Sequence, residues 1–320
     1  MEDGGGKERR WLRPLGLLLV VIALAMGSPL VLVGGPLVLL LLLNPGGGIR
    51  GTLVALALLV FLVAGDPEQG SWLVERGWAI LVGGTFVAVS RSWPDRTFVE
   101  RGLVAVAGGA LWSALILVAL GGWGRIQAMV DERLQVGVTA TMDLLRLLGN
   151  GGGELTGVFG EAVVRTAEIQ GALFPALLSL STLAALGVAW WVYVRLSAGS
   201  SGGLSPLRSF RFPDPLIWVL IAGIGLLLVG GWSEGWGRMG ANMVVFMVGL
   251  YALRGAGVLL FITGGLSLPA MLLVAVVALL VPPLLVLGTT AVGVGDSWFD
   301  LRTRGNSPGG RGSDGTQGAD

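Results

Sequence analysis

The chain has 320 residues, 53% of them apolar and only 13% charged, with a mean hydropathy of +0.80; a soluble domain of this length carries about twice that charge fraction. It contains no cysteine and no histidine, which removes thiolate nucleophiles, disulfides, iron–sulfur ligation, thiol or imidazole zinc sites and histidine acid–base work. The net charge of +1 gives no electrostatic footprint for nucleic acid, so neither a metal, a cofactor nor a nucleic-acid partner is expected.

Residues 1–10 are polar and glycine-rich and are expected to be disordered. Leu12–Leu43 follows, about 30 apolar residues that would make a straight helix of roughly 45 Å. Gly27-Ser28-Pro29 and Gly34-Gly35-Pro36 interrupt it, and proline removes a helical hydrogen bond. It is read as one kinked helix in preference to two short ones. It is also read as uncleaved, because removal after Ala23-Leu24-Ala25 would expose a further apolar run from Leu30 to Leu43. Gly51–Ala64, Ser71–Val89 and Thr97–Leu120 complete spans one to four, within residues 11–121.

Residues 122–170 change character, carrying acids and arginines among the apolar residues. Val130, Leu134, Val138, Met142, Leu145 and Leu148 recur at three- and four-residue steps, the spacing of an amphipathic helix. The glycine-rich turn 149–153 stops it, and a second helix begins at Glu154. The expectation is an amphipathic hairpin on the membrane surface or over the mouth of the bundle.

Ala172–Val194, Leu216–Gly231, Ala241–Gly264 and Leu268–Val294 make spans five to eight, within residues 171–304. Asp214-Pro215 suits a helix cap, and Pro282-Pro283 should kink the last span. The fold class is therefore all-α, a polytopic bundle of about eight transmembrane spans with the hairpin between spans four and five. Tryptophans near segment ends, Trp72, Trp93, Trp190 and Trp298 among them, fit the headgroup level. The positive-inside rule leans towards both termini in the cytoplasm of a bacterial inner membrane. Residues 305–320 are too polar to fold alone.

The second half resembles the YybS-like bacterial membrane proteins, a family of unknown function. The resembling pieces are the helix from Phe174 to Leu186, the loop RSFRFPDPLIW from Arg208 to Trp218, LYALRGAGVLLF from Leu250 to Phe261, and the closing GDSWFDLR from Gly295 to Arg302. The resemblance covers roughly residues 170–304. It implies an uncharged polar residue, usually glutamine, where this chain has Arg254. It also implies a remote similarity to the substrate-binding membrane subunits of energy-coupling-factor vitamin transporters, which is an analogy of fold.

Arg254 lies near the middle of a span, where a charge costs at least about 2.5–3.5 kcal/mol on insertion scales. It should face the bundle interior, with Glu75, Glu234, backbone carbonyls or an anionic ligand as partner. Asn242, three turns earlier on the same span, and Glu75 are the other candidate ligand-binding residues. In the closing motif Asp296, Trp298, Asp300 and Arg302 are candidates for contact with lipid or a partner protein. Asp296 is expected to pair with Arg238 or cap a helix, Asp300 to pair with Arg304, and Arg302 and Arg304 to anchor the end to anionic lipid. Two functions fit: a small-molecule binding or transport component without its own ATPase, or a non-transporting scaffold that binds partner proteins. No catalytic residues are assigned.

Overall fold

The computed structural model describes residues 29–43, 48–63, 70–148, 153–197, 207–230, 235–264 and 268–302. Every element among them is helical, with no strand. The chain divides into two compact units, residues 1–205 with 215–247, and residues 206–214 with 248–320.

The first unit opens with α1, Pro29–Leu43, and α2, Gly48–Val63. The α1 helix buries Leu32, Leu37, Val38, Leu40 and Leu41 and packs against α2, α3 (Gly70–Ser92) and α7 (Phe174–Leu196). Pro36 sits inside α1, and a Cβ at Gly83 of α3 would stand 2.9 Å from the Pro36 Cα, so this crossing depends on a missing side chain. Residues 12–28, the first part of the expected long helix, lie outside the described residues.

The α4 helix, Phe98–Leu120, begins with a capping box: the Glu100 amide donates to Thr97 Oγ1 at 3.3 Å, and the Thr97 amide to Glu100 Oε2 at 3.1 Å. This span was expected to begin at Thr97, the residue that caps it. Thr97→Ala is expected to cost about 1 kcal/mol, seen as a lowered thermal midpoint in detergent; an unchanged midpoint would mean the box carries no weight.

Two helices follow, α5 (Trp123–Leu148) and α6 (Gly153–Ala172), and they pack on each other. Leu134 and Met142 lie against Gly171 and Gly160, as the helical spacing requires. The first unit closes with α8, Ile217–Gly230, and the first half of α9, Gly235–Ile262. Gly223 of α8 faces Gly240 and Met243 of α9 at contact distance.

The second unit holds the rest of α9, then α10 (Leu268–Leu280) and α11 (Pro282–Phe299). The last span was expected to be kinked; it is broken into two helices. Val281 takes φ −139° and ψ 60°, outside the helical region, with prolines opening α11. A β-branched residue before proline is pushed out of the α conformation, which ends α10 at Leu280.

Three helices among the described residues are long and apolar enough to cross a membrane: Phe98–Leu120, Phe174–Leu196 and Gly235–Ile262. Leu30–Leu43, Gly51–Val60 and Asp214–Gly230 are apolar but shorter.

Candidate functional site

The second unit is organised around Arg254. On one side α9 and α11 approach backbone to backbone. A Cβ at Gly255 would collide with the Thr289 carbonyl and come within 2.9 Å of the Gly293 amide nitrogen, and one at Gly293 would collide with the Tyr251 carbonyl. This approach brings Asp296, one turn beyond Gly293, to the guanidinium beside Gly255.

Arg254 Nε donates to Asp296 Oδ2 at 2.9 Å, and Nη1 donates to Asp214 Oδ1 at 3.0 Å. The Phe212 ring lies beneath the guanidinium, 5.5 Å from Cζ, and itself packs edge-on against Tyr251 at 5.0 Å. The side chains of Arg254 and Asp296 are 4% and 0% exposed, whereas that of Asp214 is 73% exposed. Thus one carboxylate is sealed in with the cation and the other reaches it from the surface. Asp296 Oδ1 is buried and meets no hydrogen-bond donor among the described residues.

Arg302 closes the far side. Its Nη2 donates to the carbonyls of Phe210 at 3.1 Å and Arg254 at 3.3 Å. Burial lowers its pKa from the ordinary value, with the charge of Asp296 opposing that shift. Together these contacts fasten the 210–214 loop and the segment after α11 onto α9. At the rim Arg211 pairs with Asp300 at 2.7 Å, both about half exposed. Asp300→Asn is expected to change stability by less than about 1 kcal/mol; a loss comparable to that of a buried pair, measured by thermal unfolding, would show that this rim contact has been underweighted.

Several expected pairings are corrected. Arg254 meets Asp214 and Asp296. Glu75 pairs instead with Arg133 of α5, and Glu234 lies outside the described residues. Asp296 pairs with Arg254; Arg238 donates to the carbonyls of Gly171 at 2.9 Å and Ala172 at 3.3 Å. The physical cause is the break at Val281. In an unbroken hairpin about residue 266, position 238 would face position 294. Once α10 ends at Leu280, α11 is free to bring Asp296 to Arg254.

Asp214 was read as a helix cap because proline follows it; it opens a 3-10 turn and spends a carboxylate oxygen on Arg254. Arg302 was read as a lipid anchor, but it is buried and bound to two carbonyls. Asp300 meets Arg211, and Arg304 lies outside the described residues. Trp298 and its neighbour Phe299 are exposed.

Asn242 belongs to the first unit. It accepts from the Ala176 amide at 2.9 Å and donates to the carbonyls of Ala172 at 2.9 Å and Arg238 at 2.8 Å. Its amide ties the α6–α7 junction to α9, using both of its hydrogens.

Sequence reasoning passed over a third buried arginine. Arg101, on the first turn of α4, is 9% exposed, and its Cζ stacks 4.7 Å from the centre of the Trp190 ring. Trp190 packs edge-on against Phe86 at 5.9 Å and beside Tyr193 at 5.5 Å; Phe98 meets Phe86 at 5.8 Å. Arg101 Nε is buried without an acceptor, and no carboxylate meets the guanidinium among the described residues. A desolvated cation–π stack contributes about 2 kcal/mol, against several kcal/mol for taking an unpaired ion out of water. The stack alone does not offset the burial. The only signal in the sequence was an arginine just inside an apolar span, next to an arginine-rich loop.

The chain belongs to the DUF2232 family, described as predicted membrane protein, whose family model matches residues 15–297. No curated protein and no solved structure matches it. With its apolar helices, this makes the chain a membrane protein.

Proposed function

We propose that this DUF2232 member is a non-transporting scaffold of the bacterial cell membrane, with about eight spans and both termini in the cytoplasm, that holds partner proteins and carries out no catalysis. One observation carries this reading: the charge in the middle of α9 is answered by two carboxylates of the chain itself, so Arg254 presents no bare cation to a substrate. The α5–α6 pair and the exposed Trp298 and Phe299 at the end of α11 are the surfaces offered to partners. The test places a photo-crosslinking amino acid at position 136 or 298 of the full chain in native membranes. Discrete protein adducts are expected at one of these positions. Their absence from both, together with a thermal shift from an anionic metabolite or vitamin that Arg254→Gln abolishes, would overturn the reading.

A second reading is favoured by the exposure of Asp214. A ligand carboxylate arriving from the surface would displace Asp214 from Arg254 without opening the Asp296 contact. This would suit a small-molecule binding component served by a separate energising subunit, as the YybS-like resemblance and its remote transporter analogy imply. Under it, Asp214→Asn removes the internal competitor and tightens anion binding; an anion whose affinity is unchanged by Asp214→Asn would count against it.

A further inference from the structure

Arg101 has features that Arg254 lacks. It is nine-tenths buried, as Arg254 is, but it is stacked on an indole and met by no acid among the described residues. Among the described residues near the ends of α3, α4 and α7, the charged side chains are predominantly basic. Arg91, Arg96 and Arg195 accompany it, against Asp95 and Glu100. Glu100 is already engaged, by Arg96 at 3.6 Å and by the capping box. Arg91 reaches the Leu43 carbonyl at 3.3 Å, and Arg195 stacks on Trp191 at 4.3 Å.

We propose that Arg101 is the cation of a binding subsite for a phosphate oxyanion, held against Trp190 and open at the rim of the first unit. Three physical arguments support this. The guanidinium lies over the Trp190 ring with Nε buried and without an acceptor, and an arginine N–H edge matches the geometry of a phosphate. The aromatic wall of Phe86, Phe98, Trp190 and Tyr193 keeps the local dielectric low, which strengthens the attraction and makes an unanswered charge unfavourable. Finally, Arg101 lies in the first turn of a helix of membrane-spanning length, and the ends of such helices are where a chain meets lipid headgroups. The phosphate can come from an anionic lipid headgroup or from a soluble phosphorylated compound; the chemistry at Arg101 is the same.

The experiment uses the full chain, delipidated in a neutral detergent. Thermal unfolding is followed while phosphatidylglycerol is titrated against phosphatidylcholine, and inorganic phosphate against chloride at matched ionic strength. It is run on the parent, Arg101→Gln and Arg101→Lys. The parent is expected to be stabilised by phosphatidylglycerol or by phosphate, with the midpoint of that titration about tenfold higher in Arg101→Gln and intermediate in Arg101→Lys. A response to phosphatidylglycerol alone assigns a lipid headgroup; a response to phosphate assigns the soluble source. A purely structural Arg101 would lower the starting Tm and leave the titration midpoint where it was, and that result overturns the proposal. So does a parent that responds equally to phosphatidylcholine and to chloride. If Arg101→Gln does not fold, the comparison of parent with Arg101→Lys decides, and an unshifted midpoint there overturns the proposal.

Discussion

Replacing Arg254 by glutamine is expected to cost about 3–5 kcal/mol of stability in detergent, a fall in Tm of roughly 10 °C. The size follows from what is left behind. Asp296 is fully buried and already has one oxygen without a donor. Without Arg254 its carboxylate is left unpaired in a low-dielectric interior, which is unfavourable. Glutamine can donate a hydrogen bond but cannot answer a charge. Asp214→Asn should do far less, below about 1 kcal/mol, because Asp214 is largely exposed and water replaces its partner. Equal losses in the two variants, measured side by side by thermal unfolding, would mean that burial does not rank these contacts.

Alanine at Gly255 or Gly293 is expected to cost at least about 3 kcal/mol, the upper end of the usual range for overpacking. Most overpacked side chains find relief in a neighbour's rotamer. Here the obstacles are the backbone carbonyls of Thr289 and Tyr251, so relief requires α9 and α11 to separate. Separation would also carry Asp296 away from Arg254, so these variants should lose part of the ion-pair energy with the packing. Gly288, on the same α11, has nothing within 4 Å of the position a Cβ would occupy. Gly288→Ala should therefore be neutral or stabilising by up to about 1 kcal/mol. Destabilisation by Gly288→Ala equal to that by Gly255→Ala would show that the effect comes from helix glycines in general and not from the crossing.

Much of the helical layout was readable from apolar run length and end signals. The span that became α4 was begun at Thr97, and the three- and four-residue spacing placed Leu134 and Met142 on one apolar face of α5, the face that lies against Gly171 and Gly160. The central charge was readable as well, since an arginine inside an apolar run has few structural explanations. Its partners were not. Asp296 lies 42 positions from Arg254, and their meeting depends on how completely the Val281-Pro282-Pro283 step interrupts the last span. A kink and a break read alike in sequence, yet they place the residues beyond them at different depths. Asp214 had a sufficient local explanation as a cap, which hid its long-range role. Arg302 sits in a charged closing motif that suits a membrane exit, and its burial against the Phe210 and Arg254 carbonyls shows that it is interior. Arg101 was hidden because its stacking partner, Trp190, lies on a helix far along the chain.

The most direct measurement is a double-mutant cycle on the sealed pair, comparing the thermal stability of the parent, Arg254→Gln, Asp296→Asn and the doubly substituted protein. Internal neutralisation of Arg254 predicts a double variant that loses much less than the two single losses together, with a coupling of about 2 kcal/mol or more. Single losses that add to within about 0.5 kcal/mol would contradict the account, because Arg254 and Asp296 would then not be answering each other's charge.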